Sequence, residues 1–306
     1  MVAIPNADSL DVALELAQPA TILAMMDVHS DSRHRIAKET DLRLSPAVAA
    51  DRFIDGRGNM VRRLSAPAGR LSLRLDGVFL SDGREDDADK AAELVAPSDL
   101  PPETLPFLLP SRYCESDLLS DFGWANFGAI SGGWARVEAV CDFVHGRLRF
   151  SYSEARPTRT ASEALAEGVG VCRDFTHLAV ALCRCLNIPA RYCNGYLGDI
   201  GVPPDPAPMD FNAWFEAFLG GRWFTFDPRH NRPRIGRILI SRGRDAADIP
   251  MITTFGSHAL TRFAVVTEEI KEPEVVRLQV AGTGRETAAP SRCPNASTAD
   301  ERRRHV

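Results

Sequence analysis

The sequence predicts an α+β fold, in which helices pack on an antiparallel sheet and a small antiparallel β domain comes first. Three observations predict it. Short β-rich runs alternate with turn signals from about residue 19 to 80. A glycine-punctuated loop, Gly168-Val-Gly-Val171, opens into an amphipathic helix beginning at Cys172. Two strand-like stretches then flank Gly220-Gly221.

The 306 residues are 44% hydrophobic and 25% charged, an ordinary globular balance with room for one large or two modest domains. The net charge of -5 leaves no basic footprint, which argues against nucleic acid as a partner. The start, Met1-Val-Ala-Ile-Pro5, lacks the features of a signal peptide. No run approaches the roughly 18 apolar residues of a membrane helix, so no membrane partner is expected. Seven cysteines without framework spacing fit reduced thiols, and with the plain N-terminus they lead to an expectation of a soluble cytoplasmic protein.

In the N-terminal domain, taken as residues 1–100, strands are expected at Ala20 to Val28, Asp41 to Leu44, Asp51 to Ile54, Met60 to Leu64 and Arg70 to Phe79. Asp55-Gly-Arg-Gly-Asn59 is a hairpin signal, and Leu71, Leu73 and Leu75 alternate with polar residues, so one face is buried. His29 and His34 beside Asp27 and Asp31 are better explained by a polar surface loop than by a metal site. The charge-rich stretch Gly83 to Lys90 and the proline-punctuated Pro97 to Pro110 mark a linker.

The second domain, taken as 101–270, has expected helices at Leu118 to Phe127 and Val137 to His145, and a short helix from Thr160 that stops at Gly168. In the next helix Phe175, Leu178, Ala179, Leu182, Cys185 and Leu186 form one apolar face. Cys172 begins that helix, where unpaired N–H groups and the helix dipole favour a thiolate. The alternative is a small apolar residue closing the helix start. Cys183 and Cys185 point about 200° apart on a helix, so with Cys193 they do not converge on a metal. Ile188 to Tyr196 reads as a strand and Gly198 to Pro208 as a loop placed to line a site. Ile238 to Ile240, Ile252 to Phe255 and Leu260 to Glu268 are expected to finish the sheet. The basic run Arg229 to Arg237 reads as a solvated turn making local ion pairs, with binding of a carboxylate or phosphate as the alternative. Residues 271–306, holding Cys293, have the composition of a mostly disordered tail.

Three stretches in order, Gly170-Val-Cys172-Arg-Asp-Phe-Thr-His177, Asp210-Phe-Asn212-Ala-Trp-Phe-Glu216 and Gly220-Gly-Arg-Trp-Phe-Thr-Phe-Asp227-Pro228, resemble the bacterial transglutaminase-like cysteine hydrolases across about residues 134–256. The resemblance implies a papain-like core and a Cys-His-Asp triad, with attack of Cys172 on a peptide or isopeptide amide to give a thioester. Water or an amine then accepts the acyl group. It implies a peptide or protein substrate and no metal or organic cofactor. Asn212 stands where that family has histidine.

The hairpin at Gly220-Gly221 puts Leu219 opposite Arg222, Trp214 opposite Asp227 and Asn212 opposite Arg229, so Asn212 is a diagonal neighbour of Asp227 on one face. A carboxamide cannot take a proton at neutral pH. His177 lies about 140° round the helix from Cys172 and points away. His145, near a helix end, reads as structural. His230 has the opposite strand parity to Asp227 and becomes a substitute base only if Pro228 ends the strand first. Two function classes stay open: an enzyme using Cys172, Asp227 and a base, or a catalytically impaired peptide-binding module with Asn212 as its signature.

Overall fold

Leu10, Val12, Leu14 and Leu16 are all buried, alternating with more polar neighbours, and this period of two draws the chain into the long strand β1 (Ile4–Leu16). That strand is absent from the sequence expectations. The structure, a computed structural model, describes residues 4–39, 42–203 and 209–270. The expected tail, Cys293 and the end of the 198–208 loop lie outside them. Strands β2 (Ala20–Ala24), β3 (Ile36–Glu39), β4 (Arg43–Ser45), β5 (Ala49–Ile54), β6 (Met60–Ala66) and β7 (Gly69–Ser81) follow. Strands β5 and β6 form the expected hairpin around Asp55 to Asn59.

The second half of the described chain runs α1 (Ser116–Phe127), α2 (Gly133–Arg147), β8 (Arg149–Phe150), α3 (Ala161–Glu167), β9 (Val169–Gly170) and α4 (Cys172–Cys185). It continues with β10 (Ala190–Tyr196), β11 (Asn212–Leu219), β12 (Arg222–Phe226), β13 (Ile238–Gly243), β14 (Ile252–Phe255) and β15 (His258–Glu269). The mixture of helices and antiparallel sheets is the α+β class expected. Helix α4 is buried almost from end to end, with α1, α2 and α3 round it and the sheet β12-β11-β10-β13 beneath. Phe215, Ala217, Leu219 and Phe224 face the helices and share their core with Phe175, Leu178 and Leu182.

The last two strands correct the expected order. Only β13 finishes the core sheet. Strand β14 pairs with β2, and β15 pairs with β1 along nearly its whole length. The N-terminal strands are therefore completed by residues 252–269. The sheets read β15-β1-β7-β3, with β4 also on β7, and β14-β2-β6-β5. The apolar alternation of these strands says which side chains turn inward, but not which sheet edge each strand joins. Tyr196, Ile238 and Ile240 from the core sheet enter the same apolar cluster as Leu10, Ile22, Leu64 and Leu73.

The charge-rich stretch 83–90 is also no free linker. The Asp86 N–H donates to Arg234 O at 3.0 Å, its carboxylate accepts from the Arg234 N–H at 2.9 Å, and Arg237 bonds it through Nε. Among the described residues, no helix is long and apolar enough to cross a membrane, and the six cysteines there are free and buried.

Candidate active site

Four local features place Cys172. Helix α3 carries a capping box at Thr160 and Glu163 and ends on Gly168 at φ 67°, a left-handed residue that glycine adopts without Cβ strain. The chain then makes the short parallel pair β8-β9, so the loop before α4 is tied at both ends. Asp174 folds back and its Oδ2 accepts the Val171 N–H at 3.0 Å. Gly170 is the residue that lets it do so, because a Cβ there would lie 2.6 Å from the Asp174 Cβ.

Asp174 is buried, and its charge is matched by Arg159 at 3.0 Å and Arg173 at 3.2 Å. The result is a rigid helix start with Cys172 as its first residue. Its backbone N–H is among the first-turn donors without an intrahelical partner.

The thiol faces the beginning of β11. Cys172 Sγ lies 3.7 Å from Phe211 O and packs with Tyr192, Ala213 and Ile249. Burial pushes the thiol up to about 11, outweighing the downward pull of Arg229 and the Ala213 N–H. Desolvation thus works against the thiolate expected at this helix start.

The hairpin register is as the turn dictates, with Leu219 opposite Arg222 and Phe215 opposite Phe226. The ladder stops at Phe226, before the expected pairing of Trp214 with Asp227. Asn212 and Asp227 consequently have different partners. Asn212 Oδ1 accepts from Arg229 Nη1 at 3.1 Å, and its Nδ2 donates to Asp210 O at 3.3 Å and Leu197 O at 3.5 Å.

Asp227 accepts four hydrogen bonds. Oδ1 takes the N–H groups of Arg229 at 3.1 Å and His230 at 3.0 Å. Oδ2 takes His230 Nδ1 at 2.8 Å and Arg237 Nη2 at 2.9 Å. Burial would raise this carboxyl, but the Arg237 charge and the His230 bonds prevail and hold it well below the usual carboxylate range.

His230 is where strand parity misleads. Residues 227–230 form a turn, closed by the Asn231 N–H on Asp227 O at 2.8 Å, and it brings the imidazole back onto the Asp227 carboxylate. With Nδ1 engaged there, Nε2 is the nitrogen left to exchange a proton. His145 steadies the turn, its Nδ1 donating to Arg229 O at 2.9 Å.

His177 is fully buried between Tyr113 and Tyr192, and its Nε2 accepts the Ala246 N–H at 3.1 Å, a structural role. His29 is buried too, bonded to Arg57 O and the Asp31 N–H, rather than lying in a surface loop. Among the described residues, no group of three or more His, Cys, Asp or Glu is arranged to hold a metal.

The basic run Arg229 to Arg237 is a solvated turn only in part: Arg232 and Pro233 are exposed, while Arg234 and Arg237 are drawn inward by ion pairs. Arg234 bonds Gly198 O and Asp199, and Arg237 bridges Asp86 and Asp227 while stacking 5.0 Å from the Trp214 ring. Arg229 and Arg237 are the site residues that sequence reasoning missed. The cationic run was visible, but the pairing of Arg237 with Asp86 and Asp227, and the seating of Arg229 on Asn212 and Phe150, were not. A polar cavity of about 370 Å³ lies behind the sheet, walled by Trp214, Glu216, Arg237 and Arg242. Cys172 is not among its lining residues, so the thiol chemistry belongs elsewhere.

Comparison with known proteins bears on this geometry. Residues 128–228 match the model of the transglutaminase-like superfamily. An uncharacterised protein of Mycobacterium leprae is 33% identical over 136 residues, covering 43% of this chain and 48% of that protein. One of Mycobacterium tuberculosis is 32% identical over 112 residues, covering 33% and 36%. The chain thus spans half or less of these relatives. A crystal structure from Cytophaga hutchinsonii, described as a putative cysteine protease, is 30% identical over 89% of this chain and 92% of that one, with a TM-score of 0.78. Its likeness takes in both the N-terminal strands and the Cys172 core, and with the matched motifs it establishes that the chain belongs to the transglutaminase-like, papain-like superfamily.

Proposed function

We propose that this protein is a thiol-dependent amidase or acyltransferase acting on a peptide or protein substrate, with His230 rather than residue 212 as its proton carrier. The family-level assignment to cysteine hydrolases or acyltransferases supports the reaction class. The observation that carries the reading is the 2.8 Å bond between Asp227 and His230 Nδ1, which supplies the acid-imidazole pair that Asn212 cannot complete.

In this reading His230 Nε2 takes the Cys172 proton as the sulfur bonds to the amide carbonyl carbon. The proton passes to the departing amine as the C–N bond breaks, leaving a thioester. Water or a second amine then attacks the thioester, gives up a proton to His230 and releases Cys172. The thiol is protonated in the resting protein at neutral pH, so proton transfer accompanies attack. The Cys172 N–H is the candidate donor to the developing oxyanion. Free buried cysteines favour a reducing compartment such as the cytoplasm.

A second reading, a peptide-binding module of the same fold, is favoured by Asn212 and by the raised Cys172 thiol. Hydrolysis of a peptide-amide panel and transfer to hydroxylamine separate the two. The unaltered chain should react, Cys172→Ala should be inert, and His230→Ala should lose about 10²–10⁴-fold. Asn212→His should gain little, because Asp227 already holds His230 and Arg237. An inert unaltered chain, or a His230→Ala variant at full rate, sinks the proposed mechanism; slower iodoacetamide labelling of Cys172 on peptide addition would then favour the binding module.

A further inference from the structure

Arg229 is held from several sides. Its backbone is held at both ends, the N–H by Asp227 Oδ1 at 3.1 Å and the carbonyl by His145 Nδ1 at 2.9 Å. Its guanidinium lies 4.0 Å over the Phe150 ring and gives one N–H to Asn212 Oδ1 at 3.1 Å. Phe150 packs against the small cluster that contains Cys172, so the cation sits beside the nucleophile. Its charge acts on the Cys172 thiol and on Asp210.

Among the described residues no carboxylate oxygen lies within 4.0 Å of Arg229, and its Nε and Nη2 make no hydrogen bond. Its neighbours in the same run differ: Arg234 is paired with Asp199, and Arg237 with Asp86 and Asp227. Arg229 is only partly buried, so its free donors are reachable. A guanidinium fixed by stacking and one hydrogen bond loses little entropy when it receives a planar anion on its remaining fork. This also gives Asn212 a purpose. A histidine there would compete for protons, whereas a carboxamide oxygen accepts from the arginine at any pH.

We propose that Arg229, oriented by Asn212 and Phe150, is a carboxylate-binding residue, and that the amide attacked by Cys172 therefore lies next to a carboxylate in the substrate. The proposal rests on the active-site reading above for its reaction, but the recognition stands apart from turnover. The carboxylate comes either from the free terminus of a peptide or from an acidic side chain beside the scissile amide.

The test measures binding to the full-length Cys172→Ala chain by calorimetry, with three probes. These are acetylated trialanine with a free carboxylate, the same peptide as its carboxamide, and an acetylated Ala-Asp-Ala carboxamide. The unaltered residue 229 should favour one carboxylate probe over the neutral one by about 10–100-fold, the range of a hydrogen bond to a charged group. Which probe wins identifies the source. Arg229→Gln should reduce the preference to about threefold or less, and Arg229→Lys should keep part of it, since a point cation lacks the fork.

The same ratio in kcat/KM, measured with Cys172 present, should follow. Equal binding of all three probes, or no binding at millimolar peptide, overturns the proposal. Preference without turnover leaves the recognition intact and defeats the amidase reading alone; turnover without preference does the reverse.

Discussion

Arg237 is the residue on which the geometry of the acid-imidazole pair turns. It is almost wholly buried, bonds Asp227 through Nη2 and Asp86 through Nε, and stacks on Trp214. Without it Asp227 would be a buried carboxylate balanced by His230 alone. Removing one partner of such a pair costs about 3–5 kcal/mol, and Arg237→Met should show a loss of that order in urea unfolding at pH 7. The sign of the pH dependence follows from the lowered Asp227 carboxyl. Its stabilisation is present above the unfolded carboxyl range, near about 3.9, and fades as pH falls through the still lower folded value. The gap between the unaltered chain and Arg237→Met should thus be full at pH 7 and narrow below about pH 4. A gap of constant size would mean that Arg237 acts through packing on Trp214.

At the scale of the element, the start of α4 is built by contacts among five residues. Gly170 makes room, Asp174 turns back on the Val171 N–H, and Arg159 and Arg173 neutralise it. Gly170→Ala would place a methyl 2.6 Å from the Asp174 Cβ and 2.9 Å from its Oδ2. Neither a strand residue nor a buried side chain in an ion pair moves cheaply, so overpacking here should cost about 1–3 kcal/mol. Thermal melting checks the cost. Alkylation of Cys172 by iodoacetamide checks the cause, because a displaced helix start exposes the thiol and should speed labelling. Slower labelling in a stable variant would refute this account of the loop.

For the whole molecule, the described cysteines are the largest set of buried titratable groups. Burial pushes the thiols of Cys114 to about 12 and of Cys172 and Cys185 to about 11, and raises those of Cys141, Cys183 and Cys193 further above 9.0. A group whose folded pKa is raised stabilises the fold fully below its unfolded pKa, and that stabilisation is lost as pH rises through the folded value. Stability should therefore be flat from about pH 6 to 8 and fall steeply between about 9 and 12. Denaturant midpoints across that range provide the measurement. Serine at Cys114, which keeps a small side chain without a titrating thiol, should soften the alkaline fall. A flat alkaline limb would show that the thiols reach water.

Local rules of the chain determined much of this molecule. Glycine at 168, the apolar stripe from Phe175 to Leu186, and the turn at Gly220-Gly221 sufficed to place Cys172 at a helix start. They also set β11 against β12 in the register observed. Each depends on interactions within a few residues, which a sequence displays directly. Strand β1 carries the same kind of local signal, a period of two in Leu10, Val12, Leu14 and Leu16.

What the tertiary structure alone decided is who meets whom. Strands β14 and β15 join β2 and β1 rather than the core sheet, His29 is buried, Arg237 finds Asp86 and Asp227, and Asn212 turns to Arg229 while His230 turns to Asp227. Periodicity fixes the face a side chain takes, not the partner waiting on that face. A turn after Pro228 breaks the period at the point where the candidate chemistry begins.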